Sequence, residues 1–398
     1  MMTMHTDPSA RGLRVLSIAH TAVSHAIGRK RYRPLVQRDD LSLSLLAPKR
    51  WYENHTWMEA DPPQEGVEPI LERIRFPRAG QAGWYLHYYP RLRRLIGDIR
   101  PDVIHLWEEP WSAVAVQAVR LRNRIAPSAA IVLEVDQNID RRLPPPFESF
   151  RRYTLGHTDH LLARHPDAVN VVRARGYDGG SGYVEYGCDA AIFHPNGRAS
   201  ARKALGIEGF TIGYAGRLVR EKGLEDAILA VARCRGPVNL LIMGDGEYRE
   251  NLQAMIGNLE LQDRVKLLPN AGPEGVANLM RGVDVMVLLT RTTFRFKEQF
   301  GRVIMEAQAC GTPVIGSTSG SIPDVIGPGG WIVPERDPDA VAACIDRLSS
   351  DPAMVAAAAE IAQQHALQRF TYDAVADALL SGFGAATRSR KDTRHINN

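Results

Sequence analysis

Glu298 and Glu306 stand eight positions apart around Phe300-Gly301-Arg302, and the run closes on Gly311-Thr312-Pro313 before the apolar pair Val314-Ile315. The pattern predicts a loop, a helix, a tight turn and a buried strand. The helix is expected to begin at Phe300 and Gly301, where free backbone N–H groups would point outward at an anion. One carboxylate then precedes the helix start and the other lies in its first turns. A phosphate bound between them has its attached groups within reach of both acids. A second constellation runs from Gly213 to Gly223: a strand end, the Gly216 turn, then Arg217 and Lys222 ahead of a helix. Two cations spaced in this way suit a phosphate group whose charge grows as a bond breaks. Arg217 offers such a group a planar fork and Lys222 a point charge, while Arg220 reads as a surface residue of the same turn.

The elements that must hold these residues form two series of strands and helices. Leu13–Ala19, 41–46, 102–106, 131–135 and 160–163 read as short apolar strands of one series. A second comprises 211–215, 239–243, 265–268, 283–289 and 314–315, separated by helical stretches such as 224–233 and 303–310. Short apolar runs of this kind suit parallel strands covered on both faces. The repeated pattern is that of two doubly wound α/β domains, with ligands at the carboxyl ends of strands. At 398 residues the chain exceeds a single ordinary core. We expect a disordered lead over 1–12, a first domain over 13–188, a linker over 189–204 and a second domain over 205–371. A terminal helix over 372–387 and a flexible tail over 388–398 follow. Phe193-His194-Pro195-Asn196-Gly197 marks the linker by breaking the periodicity.

The Glu298–Glu306 segment, followed at once by its Gly-Thr-Pro strand, resembles the signature of the retaining, family-four glycosyltransferases (glycosyl transferases group 1) of the GT-B fold. The resemblance extends over most of the chain and implies two Rossmann-like domains facing across a cleft. It also implies a nucleotide-sugar donor, UDP- or GDP-linked, with no cofactor and no metal. By that resemblance Glu298 contacts the transferred sugar, Glu306 holds the ribose, and Arg217 with Lys222 grips the donor phosphates. Phe300, Gly301 and Arg302 at the helix start, Gly216, Gly244 of Gly244-Asp245-Gly246, and Asn270 complete the donor side, with Asn270 placed toward the base. The resemblance further implies transfer with retained configuration to a glycan or lipid-linked acceptor, in bacterial polysaccharide or cell-envelope glycan synthesis. Acceptor-side candidates are His105, Glu108, Gln137 and Asn138. Relatives carry a second histidine where this chain has Trp107, which leaves Glu108 and Glu109 as the polar groups there. His105 reads equally as a packed core residue, and Gln137-Asn138 equally as a turn. The Gly-Gly loop usual after the first strand is replaced by His20-Thr21-Ala22-Val23-Ser24-His25. These departures keep open a non-catalytic reading, a sugar-nucleotide-binding scaffold in a glycan assembly complex.

Composition narrows the field. Hydrophobic residues make up 44% and charged residues 24%, ordinary for a globular chain. No apolar run is long enough to span a membrane, and the N-terminus lacks a signal-peptide core. Four widely spaced cysteines (Cys188, Cys234, Cys310, Cys344) argue against a disulfide framework or a cysteine zinc site and fit a reducing cytoplasm. The net charge of +4 is carried by the N-terminal half, in clusters at Arg29-Lys30-Arg31 with Arg33, Arg91 with Arg93-Arg94, Arg120 with Arg122 and Arg124, and Arg151-Arg152. Such clusters suit either solvated helix faces or an anionic membrane leaflet or acceptor. Peripheral contact at the inner face of the membrane is therefore an expectation. No nucleic-acid reading motif accompanies the charge. The single Asp-x-Asp triplet, Asp337-Pro338-Asp339, sits directly before a helical pattern and reads as an N-cap followed by proline at the first helical position.

Overall fold

A computed structural model of the protein describes residues 12–53, 56–76 and 86–397. The lead expected over 1–12 lies outside the described residues except for Gly12. The chain forms two compact units, one of residues up to Gly187 together with Tyr372 onward, the other Cys188–Thr371.

The first unit is built on β1 (Leu13–Ala19), β2 (Leu41–Pro48), a hairpin of β3 (Arg50–Glu53) and β4 (Thr56–Glu59), β5 (Pro69–Glu72), β6 (Val103–Trp107), β7 (Ala130–Val135), β8 (His160–Ala163) and β9 (Gly180–Tyr183). Seven of these make one parallel sheet in the order β5-β2-β1-β6-β7-β8-β9. Side chains alternate across it. Leu16, Ile18, Ile104, Leu106, Ile131 and Leu133 pack on one face with the helices Leu92–Ile99 and Ala113–Ile125. Val15, Ala19, Val103, Ala130 and Val132 pack on the other, where Val375, Leu379 and Phe383 of the terminal helix cover them. That helix runs Tyr372–Asn397, so the tail expected to be flexible over 388–398 is helical through Asn397, with residue 398 outside the described residues. Nothing in Arg388-Ser389-Arg390-Lys391 stops it: there is no glycine or proline, and Arg390 bonds the Pro127 carbonyl at 2.9 Å.

The second unit contains β10 (Phe210–Ala215), β11 (Val238–Met243), β12 (Val265–Leu268), β13 (Val285–Leu288), β14 (Val314–Ser317) and β15 (Gly330–Val333) in a parallel sheet ordered β12-β11-β10-β13-β14-β15. The segment expected as a linker over 189–204 belongs to this unit and ends in the helix Arg198–Ala204. Arg198 and Arg202 pin that helix by bonding Asp284 and the carbonyls of Gly282 and Val283. Both sheets are therefore doubly wound. The chain order reverses between β1 and β6 in the first and between β10 and β13 in the second, and such reversal points open a crevice at the strands' carboxyl ends.

Candidate active site

At the reversal point of the second sheet, Lys222 and Glu298 meet. The Lys222 Nζ donates to Glu298 Oε2 at 2.6 Å, and Thr290 Oγ1 donates to the same oxygen at 2.7 Å. Lys222 also lies 5.3 Å from the centre of the Phe296 ring. Local chemistry explains the convergence. After β10 the chain makes a one-turn 3-10 helix, Arg220–Lys222, closed by Gly223 at φ +65. A Cβ at Gly223 would lie 2.1 Å from the Leu289 carbonyl oxygen, so only glycine lets the lysine turn lie against the end of β13. Arg291 then ties the loops together. Its N–H donates to the Glu221 carbonyl at 2.7 Å, and its guanidinium grips both Asp226 oxygens, at 3.0 and 2.7 Å, and also Glu225.

Glu298 is held from behind by its backbone. Its carbonyl accepts from Ser321 N and Ser321 Oγ, and the approach requires Gly320, where a Cβ would sit 2.0 Å from that carbonyl. Glu298 is 8% exposed. Arg217 is its opposite: exposed, with no described residue paired to its guanidinium. Its carbonyl accepts from Tyr214 Oη at 2.8 Å, which fixes the backbone while the side chain projects.

The helix after Glu298 starts at Arg302, with Gly301 as its N-cap at φ +79. Glu306 therefore lies in the second turn, with Arg302 Nη2 at 3.7 Å from its carboxylate. Burial pushes the Glu306 carboxyl up to about 7, against the partial opposition of Arg302. At Phe300 the side chain is not what faces a ligand. Its ring is 3% exposed and packs edge-on against Phe370, so the side chain anchors the helix start from inside. Gly216 and Gly244 work as a pair of backbones: Gly216 N donates to the Met243 carbonyl at 3.0 Å, and a Cβ at Gly244 would lie 1.9 Å from the Gly216 carbonyl oxygen. Asn270 is exposed in the loop after β12. Asp337 caps the helix Pro338–Ser350 through Ala340 N at 2.9 Å, and Asp339 pairs with Arg233 at 2.8 Å.

In the first unit the acceptor-side candidates behave differently. His105 is fully buried in β6, its Nδ1 at 2.9 Å from Ser17 Oγ and its Nε2 at 3.0 Å from Glu134 Oε2. Burial holds its imidazole below the ordinary value despite that carboxylate. It is a core residue and presents nothing at the surface. Glu134 also bonds Arg31 at 2.6 Å and Arg164, and those two guanidiniums lie 4.2 and 5.1 Å from the Trp107 ring. Trp107 thus fills its position as a buried platform. Glu108 is 3% exposed, its oxygens bonded to His20 N at 2.9 Å and His20 Nδ1 at 3.0 Å. Gln137 Oε1 accepts from Ile139 N at 3.0 Å, a turn-forming bond, and Asn138 is 5% exposed.

The basic clusters are also redistributed. Arg29, Arg31, Arg122 and Arg151 are all buried, Arg29 across the carbonyls of Ala22, Val23, Asp61 and Pro62. Arg29 orders the loop after β1, and three of the four clusters lose at least one member of the expected cationic surface to the interior. Among the described residues no helix is long and apolar enough to cross a membrane. Sequence reasoning missed Thr290, Arg291, Asp226 and Ser321, which carry no motif of their own and matter only through contacts across the fold.

Two doubly wound units, with a lysine–carboxylate pair and a free arginine at the carboxyl edge of the second, define a GT-B-type protein. Residues 198–365 match the family described as Glycosyl transferases group 1. It is 30% identical to a D-inositol 3-phosphate glycosyltransferase of Segniliparus rotundus, over 58% of this chain and 50% of that one. The chain thus spans about half the length of that relative. A protein of the same name from Acidothermus cellulolyticus is 25% identical over 98% of this chain and 91% of its own. The structure of Anabaena HepE in complex with UDP superposes with a TM-score of 0.71 at 20% identity, over 94% of this chain and 100% of that one, which shows a shared fold.

Proposed function

We propose that this protein is a retaining glycosyltransferase that moves a sugar from a nucleoside-diphosphate donor to a hydroxyl of a glycan, lipid-linked or phosphorylated polyol acceptor. The observation that carries the reading is the Lys222–Glu298–Thr290 cluster at the reversal point of the second sheet, beside an exposed Arg217 that no described residue neutralises. Glu298 is taken up by Lys222 and Thr290, so the Arg217 guanidinium is left to meet an anion.

The chemistry follows from those charges. The bond from the sugar's anomeric carbon to the phosphate oxygen breaks, with its electron pair leaving on the diphosphate. Arg217 and Lys222 stabilise that growing charge. The acceptor oxygen bonds to the same carbon from the face the leaving group vacates, and its proton passes to the departing phosphate oxygen. Glu298, fixed by Lys222 and Thr290, orients sugar hydroxyls and opposes the positive charge developing at the ring. Glu306 receives ribose hydroxyls. No step calls for a glycosidase-type acid–base pair. Support for the donor and acceptor classes comes from the relatives: HepE is seen with UDP and with UDP-glucose, and the curated relatives are named for a phosphorylated inositol.

Calorimetry with UDP, GDP and ADP, with and without EDTA, tests the reading on wild type and Arg217→Ala. One nucleotide is expected to bind tightly, unaffected by EDTA and weakened in the variant. Binding of none would overturn it. The buried Trp107 platform favours a second reading, a donor-binding scaffold without transfer. Nucleotide binding without product from any phosphorylated polyol or lipid-linked acceptor, followed by NMR of the anomeric proton, would favour that alternative.

A further inference from the structure

The first unit holds a cluster that the transfer chemistry does not use. His20 is the first residue after β1, and Glu108 the first after β6, so adjacent strands deliver both to the reversal point of this sheet. His87 arrives from a third segment. Two residues on, Tyr89 is clamped to Gln117 by a pair of hydrogen bonds, Tyr89 N to Gln117 Oε1 at 3.0 Å and Gln117 Nε2 to the Tyr89 carbonyl at 2.7 Å. His20, His87 and Glu108 are 5%, 0% and 3% exposed.

We propose that His20, His87 and Glu108 bind a single divalent cation of the zinc class, which pins the loop after β1 to the His87 segment and the end of β6. The geometry fits. His20 Nδ1 lies 3.0 Å from Glu108 Oε2, His87 Nε2 lies 3.5 Å from Glu108 Oε1, and one donor atom from each residue falls within 4.8 Å of the others. Ligands of a tetrahedral zinc site stand about 3.4 Å apart at ordinary bond lengths, so an ion enters this triangle with small side-chain shifts. Two imidazoles and one carboxylate are a donor set that zinc takes readily.

Two further features fit a closed metal site. The Tyr89 hydroxyl is buried with no hydrogen-bond partner among the described residues, and its ring lies 6.4 Å from the His87 ring, which makes it a candidate fourth contact. The Trp51 ring lies 4.7 Å from the His20 ring and 5.0 Å from the His87 ring, and this apolar wall excludes water. The competing occupant is a proton: the same three groups can form a hydrogen-bonded ion pair.

The test uses the full chain free of any histidine tag, dialysed against zinc and then against metal-free buffer. Elemental analysis is expected to find about one zinc per chain in wild type and a fraction of that in His87→Gln and Glu108→Gln. Wild type that retains no zinc overturns the proposal, and so does zinc retained equally by both variants. If circular dichroism shows that a variant fails to fold, cobalt(II) in wild type decides instead. Strong visible absorption from a four-coordinate site supports the metal, whereas the pale spectrum of hexa-aquo cobalt leaves the proton-bridged trio as the answer.

Discussion

The carboxyl edges of the two sheets share a strand order and differ in what becomes of their charges. In the second unit, Glu298 faces Lys222 at the reversal point while Arg217 stands exposed with no described residue paired to it, so the edge is left electrically incomplete. In the first, the corresponding acid Glu108 is enclosed by His20 and His87, and one strand over Glu134 is saturated by Arg31, Arg164 and His105. One topology supports both outcomes. Charges that complete one another inside the protein hold structure, and those left over at the edge are available to a ligand.

Replacing the buried carboxylate on each side is the strongest way to break that contrast. Glu134→Gln leaves Arg31 without its anion in the core and Arg164 with Asp136 alone, at 2.6 Å, and a loss of about 3–5 kcal/mol in stability is expected by denaturant titration. A shift below about 1 kcal/mol would show that the network is not structural. Glu298→Gln should cost less stability than Glu134→Gln, because it unpairs the single cation Lys222 and the amide can still accept from Thr290. Turnover should instead fall about 100- to 1,000-fold, in line with losing one preorganised charge, while nucleotide affinity stays within a few fold. Parallel loss of both would show that Glu298 holds the donor and does not act on the sugar. Arg217→Ala ranks next. A charged hydrogen-bond donor to phosphate contributes about 1.5–3 kcal/mol, so nucleotide affinity should drop roughly 10- to 150-fold with no change in the unfolding midpoint.

The same contrast explains what was legible in the sequence. Apolar runs identified the main strands because a parallel sheet covered on both faces leaves little room for anything else: Leu13–Ala19, 160–163 and 265–268 are strands over those very residues. The segments that escaped notice lack such runs, as in Gly180–Tyr183, whose Gly-Ser-Gly-Tyr joins the sheet only by pairing with β8. In the second unit, Lys222 and Glu298 were readable because each sits in a local motif with turn chemistry around it. What holds them was not: Arg291, Asp226 and Thr290 are ordinary residues until the fold brings them together. The first unit hid more. His105 beside a carboxylate or a serine is invisible in one dimension, because Ser17 and Glu134 lie 88 and 29 positions away. The arginine runs misled for a related reason, since sequence shows charge but not the carbonyls that bury Arg29.

Glu306 allows the finest test, because it mixes the two behaviours. It belongs to the incomplete edge, yet burial raises its carboxyl to about 7 while Arg302, half exposed at 3.7 Å, offsets only part of that. The sign of each effect is opposite. For folding, a carboxyl whose native pKa lies above its unfolded value gives stability that is complete below about 4.5 and lost as pH rises toward 7, up to about 3 kcal/mol for a shift of this size. The remaining exposure of the side chain makes that an upper bound. For binding, an ionised carboxylate accepts from ribose hydroxyls more strongly than a neutral acid does. Nucleotide affinity should therefore rise severalfold between pH 6 and 8 while the melting temperature falls from pH 5 to 7. Glu306→Gln removes the charge and keeps the shape, so calorimetry and thermal melts across that range should both flatten for the variant. If the melts flatten but nucleotide affinity keeps its slope, Glu306 is a buried acid of the first unit's kind and the ribose lies elsewhere. If both slopes persist, another group titrates and the assigned burial of Glu306 is wrong.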